Sequence, residues 1–291
     1  MKLDGRRESS NVEDRRGMST ATKAGLGGLG GIIMIALFTL LGGGDLGDVV
    51  TNVVQNGGFG SVQEEQVDGQ REFTPEEEAQ AKFCRQVLAS TEDVWGEVFQ
   101  KMGRKYEPPT LVLFTNAVQS ACGNATAAVG PFYCSGDKKL YIDISFFTQM
   151  KKQLGIEGEF PRAYVIAHEV GHHVENLLGI LGQAHQLMNR QSKTDANKTS
   201  VRLELLADYY AGVWAHYEDE SYNSLETNDM ALAIKAAHQI GDNYLQKTQQ
   251  GYVQPESFTH GTSEQRMKWL KLGYDTGNMN TSTFNVSESE L

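Results

Sequence analysis

The chain has 291 residues and a net charge of −11, ample length for a buried core. Residues 1–23 carry +2, which leaves −13 on the remainder. A body that acidic argues against nucleic acid and against an anionic membrane surface as partners.

The first 23 residues hold six basic side chains, Lys2, Arg6, Arg7, Arg15, Arg16 and Lys23. Residues 24–44, AGLGGLGGIIMIALFTLLGGG, follow without a charge. These 21 residues suffice to cross ~30 Å of hydrocarbon as one helix. Residues 45–70 contain no Lys or Arg. The positive-inside rule therefore predicts a cytoplasmic tail (1–23), a single transmembrane signal-anchor helix (24–44) and a domain on the periplasmic side of the inner membrane. Residues 45–73, rich in Gly, Gln and Glu, read as a flexible linker to a domain over 74–291.

Thr74-Pro75 followed by three glutamates predicts a capped helix running to about Met102. Its apolar stripe includes Cys84, read as a buried free thiol. TLVLFT (110–115) and KLYIDIS (139–145) predict strands, and FFTQMKKQLG a short helix. Cys122 and Cys134 bracket eleven residues. A disulfide there would contribute about 3 kcal/mol through chain entropy and would persist in an oxidising compartment, in keeping with export.

The segment AYVIAHEVGHHVEN carries the first chemistry. His168 and His172 are four apart, on one face of a helix, so both imidazoles can bind one Zn²⁺. Glu169 completes an H-E-x-x-H pattern as general base. An extended motif with a third histidine is excluded, because positions 175 and 178 hold Glu175 and Leu178. The next segment, TSVRLELLADYYAGVWAHYE, predicts a helix capped by Thr199 or Ser200. Glu204 sits there among leucines, where an unpaired carboxylate is costly to bury and a metal removes the cost. Asp208, one turn on, is placed to accept the free N–H of a ligand histidine. His185 is an alternative ligand in a loop-like stretch; His173, His216 and His238 read as structural. Helices are further predicted near 226–248 and 262–273, and the polar tail after Asn278 is expected to be disordered. A small sheet packed on several helices is an α+β architecture.

HEVGHH followed by ELLAD resembles the gluzincin metallopeptidases. The longer segments ACGNATAAVGPFYCSGDKKLYID, AYVIAHEVGHHVENLLG, RLELLADYYAGVWA and SFTHGTSEQRMKW are similar to a bacterial family of neutral zinc metallopeptidases, from about Thr74 to Tyr274. The resemblance implies a zinc-dependent endopeptidase acting on a peptide or protein. It implies that an edge strand near VGPFYCS pairs with substrate, and that His260 stabilises the oxyanion, with Tyr209, Tyr210 or Arg266 as substitutes. The spacing of His260 and Arg266 resembles the HP…R element of prenyl-protease-type zinc peptidases, with Gly261 in place of proline. Otherwise Arg266 reads as a structural salt-bridge partner. The competing reading is a membrane-tethered, zinc-stabilised scaffold without activity. Glu169, which a structural zinc site does not need, favours the enzyme.

Overall fold

The computed structural model describes residues 1–17, 72–126 and 129–291. The expected transmembrane helix (24–44) and nearly all of the expected linker lie outside those residues. Among the described residues no helix is long and apolar enough to cross a membrane.

The described chain is α+β, as its patterning predicts. Strand β1 (Val12–Asp14) precedes helix α1 (Pro75–Lys101). Strands β2 (Thr110–Phe114), β3 (Ala117–Ser120), β4 (Gly123–Thr126), β5 (Phe132–Cys134) and β6 (Lys139–Asp143) follow. The remainder is helical: α2 (Ser145–Leu154), α3 (Glu159–Leu177), α4 (Ile180–Met188), α5 (Lys193–Tyr222), α6 (Asp229–Gln239), α7 (Asp242–Gln250) and α8 (Ser263–Thr276).

The main sheet has the order β1-β2-β6-β5, with β1, β2 and β6 parallel and β5 antiparallel at the edge. Side chains alternate across it. Leu111, Leu113, Leu140 and Ile142 enter the large core shared with the helices. Val112, Phe114 and Tyr141 point the other way, into a second cluster with Val118 and Ala125 of the β3–β4 hairpin. The Cys122–Cys134 disulfide ties that hairpin's turn to β5. Cys84 is a buried free thiol, pushed up to about 12 by burial.

Several boundaries differ from expectation for local reasons. The capping box of Thr74 and Glu77 starts α1 as predicted. Helix α5 starts two turns early, because Ser192 rather than Thr199 or Ser200 caps it by accepting from Asp195 N–H. The single helix expected near 226–248 is broken at Gly241, where a Cβ would lie 2.4 Å from Ser263 N. The stretch around His185 is helix α4, not loop. The C-terminal tail is packed: Thr283 is fully buried and its hydroxyl donates to Arg202 O (2.6 Å), while the Arg202 guanidinium donates back to Thr283 O.

The largest departure is at the N-terminus. Residues 1–17, expected as a cytoplasmic tail apart from the domain, are built into it. Strand β1 pairs with β2 in the register Val12↔Leu111, Glu13↔Val112, Asp14↔Leu113, and Leu3 is buried in the main core.

Candidate functional site

The site lies between α3 and α5. The two helices approach closely because Gly171, inside the H-E-x-x-H segment, faces the Ala207 backbone. A Cβ there would meet Ala207 O at 2.8 Å and its Cα at 2.9 Å. That contact sets Glu204, on α5, opposite the two motif histidines of α3. One ligand atom from each of His168, His172 and Glu204 falls in a group within 4.8 Å.

The imidazoles are aimed. His168 Nε2 lies 3.2 Å from Glu204 Oε2, and His172 Nε2 lies 3.5 Å from Glu204 Oε1. Tetrahedral ligands at about 2.0–2.1 Å from one zinc stand roughly 3.3 Å apart, so the two spacings fit such a centre. The outward nitrogens are both held by carboxylates. His168 Nδ1 is 2.8 Å from Asp208 Oδ1, and His172 Nδ1 is 2.9 Å from Glu175 Oε2. Protons on the Nδ1 atoms leave both Nε2 lone pairs for a metal.

Asp208 is itself anchored. Arg266 donates to it from Nε (2.8 Å) and Nη2 (2.9 Å), and Tyr164 donates its hydroxyl at 2.6 Å. Burial pushes the Asp208 carboxyl up, but the Arg266 guanidinium and His168 outweigh it and hold it at about 2. Glu204 follows the same logic. Burial raises it, yet the charges of His260 and His172 keep it well below the usual carboxylate range. Glu175, fully buried, is pushed up to about 7 by burial against the pull of His172.

Glu169 lies beside the ligands, 8% exposed. Burial raises its proton affinity, while His168 and His172 and a hydrogen bond from the Tyr133 backbone pull the other way. Tyr133 belongs to edge strand β5, which a second link fastens to α3. The buried His173 donates Nε2–H to Glu107 O (2.7 Å), which leaves Nδ1 to accept from Tyr133 Oη at 3.0 Å. Asn176 Nδ2 donates to the same hydroxyl at 3.0 Å. Burial lowers His173 to about 4, so it is neutral in this role.

His260 sits in the loop before α8. Asp242, at the start of α7, accepts the backbone N–H groups of Thr259 (2.8 Å), His260 (2.8 Å) and Gly261 (3.0 Å) and lies 3.3 Å from His260 Nδ1. Gly261 has φ +92°, and its Cβ would press on Val201 and Leu205. Burial lowers the His260 proton affinity, but Glu204 and Asp242 more than restore it.

The other candidates fall elsewhere. Tyr209 Oη donates to Asn278 O (2.6 Å), and Tyr210 packs edge-on against Trp95 in the core. His185 is outside the ligand group, and His216 binds Tyr274 O. Sequence reasoning missed Glu175 and Asp242. The i, i+3 spacing from His172 to Glu175 could have signalled the first; nothing local signals the second, which meets His260 only through the fold.

A family model described as "Putative neutral zinc metallopeptidase" matches residues 1–284. Among curated relatives, the uncharacterized protein YpfJ of Escherichia coli (strain K12) is 44% identical over 285 residues, 95% of this chain and 96% of that protein. The uncharacterized protein Mb2605 of Mycobacterium bovis is 40% identical over 218 residues, 70% of this chain and 71% of that protein. No solved structure matches.

Proposed function

The chain belongs to the neutral zinc metallopeptidase family, and from that premise we propose that it hydrolyses peptide bonds of a peptide or protein held against strand β5. The observation that carries this reading is the convergence of His168 Nε2, His172 Nε2 and the Glu204 carboxylate beside a buried carboxylate, Glu169, that none of them needs as a ligand.

Zinc on those three residues would supply Lewis-acid chemistry, polarising the scissile carbonyl and acidifying a water molecule. The chain's own groups do the remainder. Glu169, its proton affinity raised by burial, takes the water's proton and passes it to the leaving nitrogen. His260, held by Asp242, donates a hydrogen bond to the developing oxyanion. Strand β5 is an edge strand, antiparallel to β6, so an extended peptide can add to it through main-chain hydrogen bonds. The Tyr133–His173 and Tyr133–Asn176 links fix that edge relative to the zinc helix.

The disulfide supports an oxidising, extracytoplasmic location for this chemistry. The experiment that tests the reading is a proteome-wide comparison of peptide termini between cells carrying the wild-type chain and cells carrying Glu169→Gln. New termini found only with the wild type are the expected result. Identical terminal profiles from equally abundant proteins would count against it.

A further inference from the structure

The basic character of the N-terminal segment is what predicts a cytoplasmic tail. In the folded chain its four arginines are all spent on carboxylates. Arg6 Nη1 lies 2.8 Å from Glu218 Oε1, Arg7 Nη2 lies 2.6 Å from Asp93 Oδ1, and Arg16 Nη2 lies 2.6 Å from Asp14 and 2.7 Å from Glu78. Arg15 pairs with Glu13. Three of the four, Arg6, Arg7 and Arg16, thus reach carboxylates of the acidic body.

The pairing with Glu218 is the most consequential. Glu218 is fully buried on α5, the helix that also carries Glu204 and Asp208. Its carboxylate has two partners, Arg6 and the Ser90 hydroxyl at 2.7 Å. Without Arg6 the helix would keep a buried charge with one hydroxyl to balance it. The main chain is engaged as well. Ser9 N–H donates to Arg85 O (3.0 Å), Gln86 Nε2 donates to Leu3 O (2.9 Å), and Arg15 N–H donates to Leu113 O (2.7 Å). Strand β1 satisfies the sheet edge that β2 would otherwise expose. The family match also begins at residue 1, ahead of the uncharged stretch.

We infer that residues 1–17 are an integral strand and clasp of the catalytic domain, and that the N-terminus therefore lies on the same side of the membrane as His168, His172 and Glu204. One crossing by residues 24–44 would set ~30 Å of hydrocarbon between β1 and its partner strand β2. Two crossings need about 40 apolar residues, and the uncharged stretch offers 21. On this inference no single crossing separates residues 1–17 from the rest of the domain, and the N-terminus shares the compartment of the candidate site instead of the cytoplasmic side expected from the charge asymmetry.

The test uses the full-length protein in spheroplasts. Ser10→Cys and Glu256→Cys each place a thiol at an exposed position, one in the N-terminal segment and one in the catalytic domain. The parent chain, whose free thiol is buried, is the control. Each variant is treated with a membrane-impermeant maleimide before and after lysis. The expected result is the same pattern for both sites. Labelling of one site before lysis and of the other only after it would overturn the inference. A second variant, Arg7→Cys with Asp93→Cys, is treated with a short bismaleimide. A cross-linked peptide joining the two positions is expected. Its absence, with both thiols reactive toward a single-ended maleimide, would overturn the docked strand itself.

Discussion

Arg266 grips Asp208 through Nε and Nη2, at 2.8 and 2.9 Å, and the same carboxylate holds His168 Nδ1 at 2.8 Å. A residue of the last long helix thereby holds the carboxylate that orients His168, a candidate metal ligand. Arg266→Leu should weaken zinc binding by roughly 10–100-fold, the usual effect of losing a partner behind a ligand. Arg266→Lys should recover little, because a single ammonium does not reproduce the two-point grip. Competition against a chromogenic chelator reads the affinity; an unchanged value for Arg266→Leu would remove Arg266 from the account.

The ligand set itself is testable by metal content. His172→Ala and Glu204→Ala should each lose most of the single zinc per chain expected for the wild type. His185→Ala should keep it, since His185 lies outside the converging group. Retention of zinc by Glu204→Ala together with its loss in His185→Ala would reassign the third ligand.

Most of the site was legible because its signals are local. The i, i+4 histidines, the adjacent glutamate and the E-x-x-x-D pair on the next helix each lie within one or two turns, where helical geometry alone fixes what shares a face. The zinc helices, both long strands and the Thr74 cap were readable for the same reason. What was not legible depends on contacts distant in sequence. Asp242 meets His260 across 18 positions, and Gly241 ends a helix because Ser263 crowds it from another segment. The N-terminal strand was not legible for the same reason: its pairing with β2 and the contacts of its arginines with Glu218, Asp93 and Glu78 join positions far apart in the chain.

His260 and Asp242 should act on turnover and not on metal. His260→Ala should keep zinc and lower kcat by roughly 10²–10³ with little change in KM, if it donates to the oxyanion. Asp242→Asn should produce a smaller loss of kcat, because it keeps the size but weakens the hold on the imidazole. An unchanged kcat in His260→Ala would hand the oxyanion to another group.

Acid should loosen the link between β5 and α3. His173 is held neutral, with its proton affinity lowered from the ordinary histidine value of 6.5 to about 4. A histidine whose folded value is depressed contributes stability that is present above the unfolded value and lost as pH falls toward the folded one. The window is therefore pH 6.5 down to about 4. The effect is on the order of 3 kcal/mol. Thermal unfolding of the metal-free protein across that window should show a steeper decline for the wild type than for His173→Gln. Parallel declines would show that His173 is not the group responsible.

The central claim is that the buried carboxylate beside the metal ligands is a general base. Zinc content and peptide hydrolysis measured on the same preparations of wild type and Glu169→Gln test it most directly. The account predicts equal zinc in both and hydrolysis lower in the variant by at least roughly 10²–10⁴, the usual contribution of a general base. A Glu169→Gln protein that holds zinc and hydrolyses peptides at the wild-type rate would contradict it.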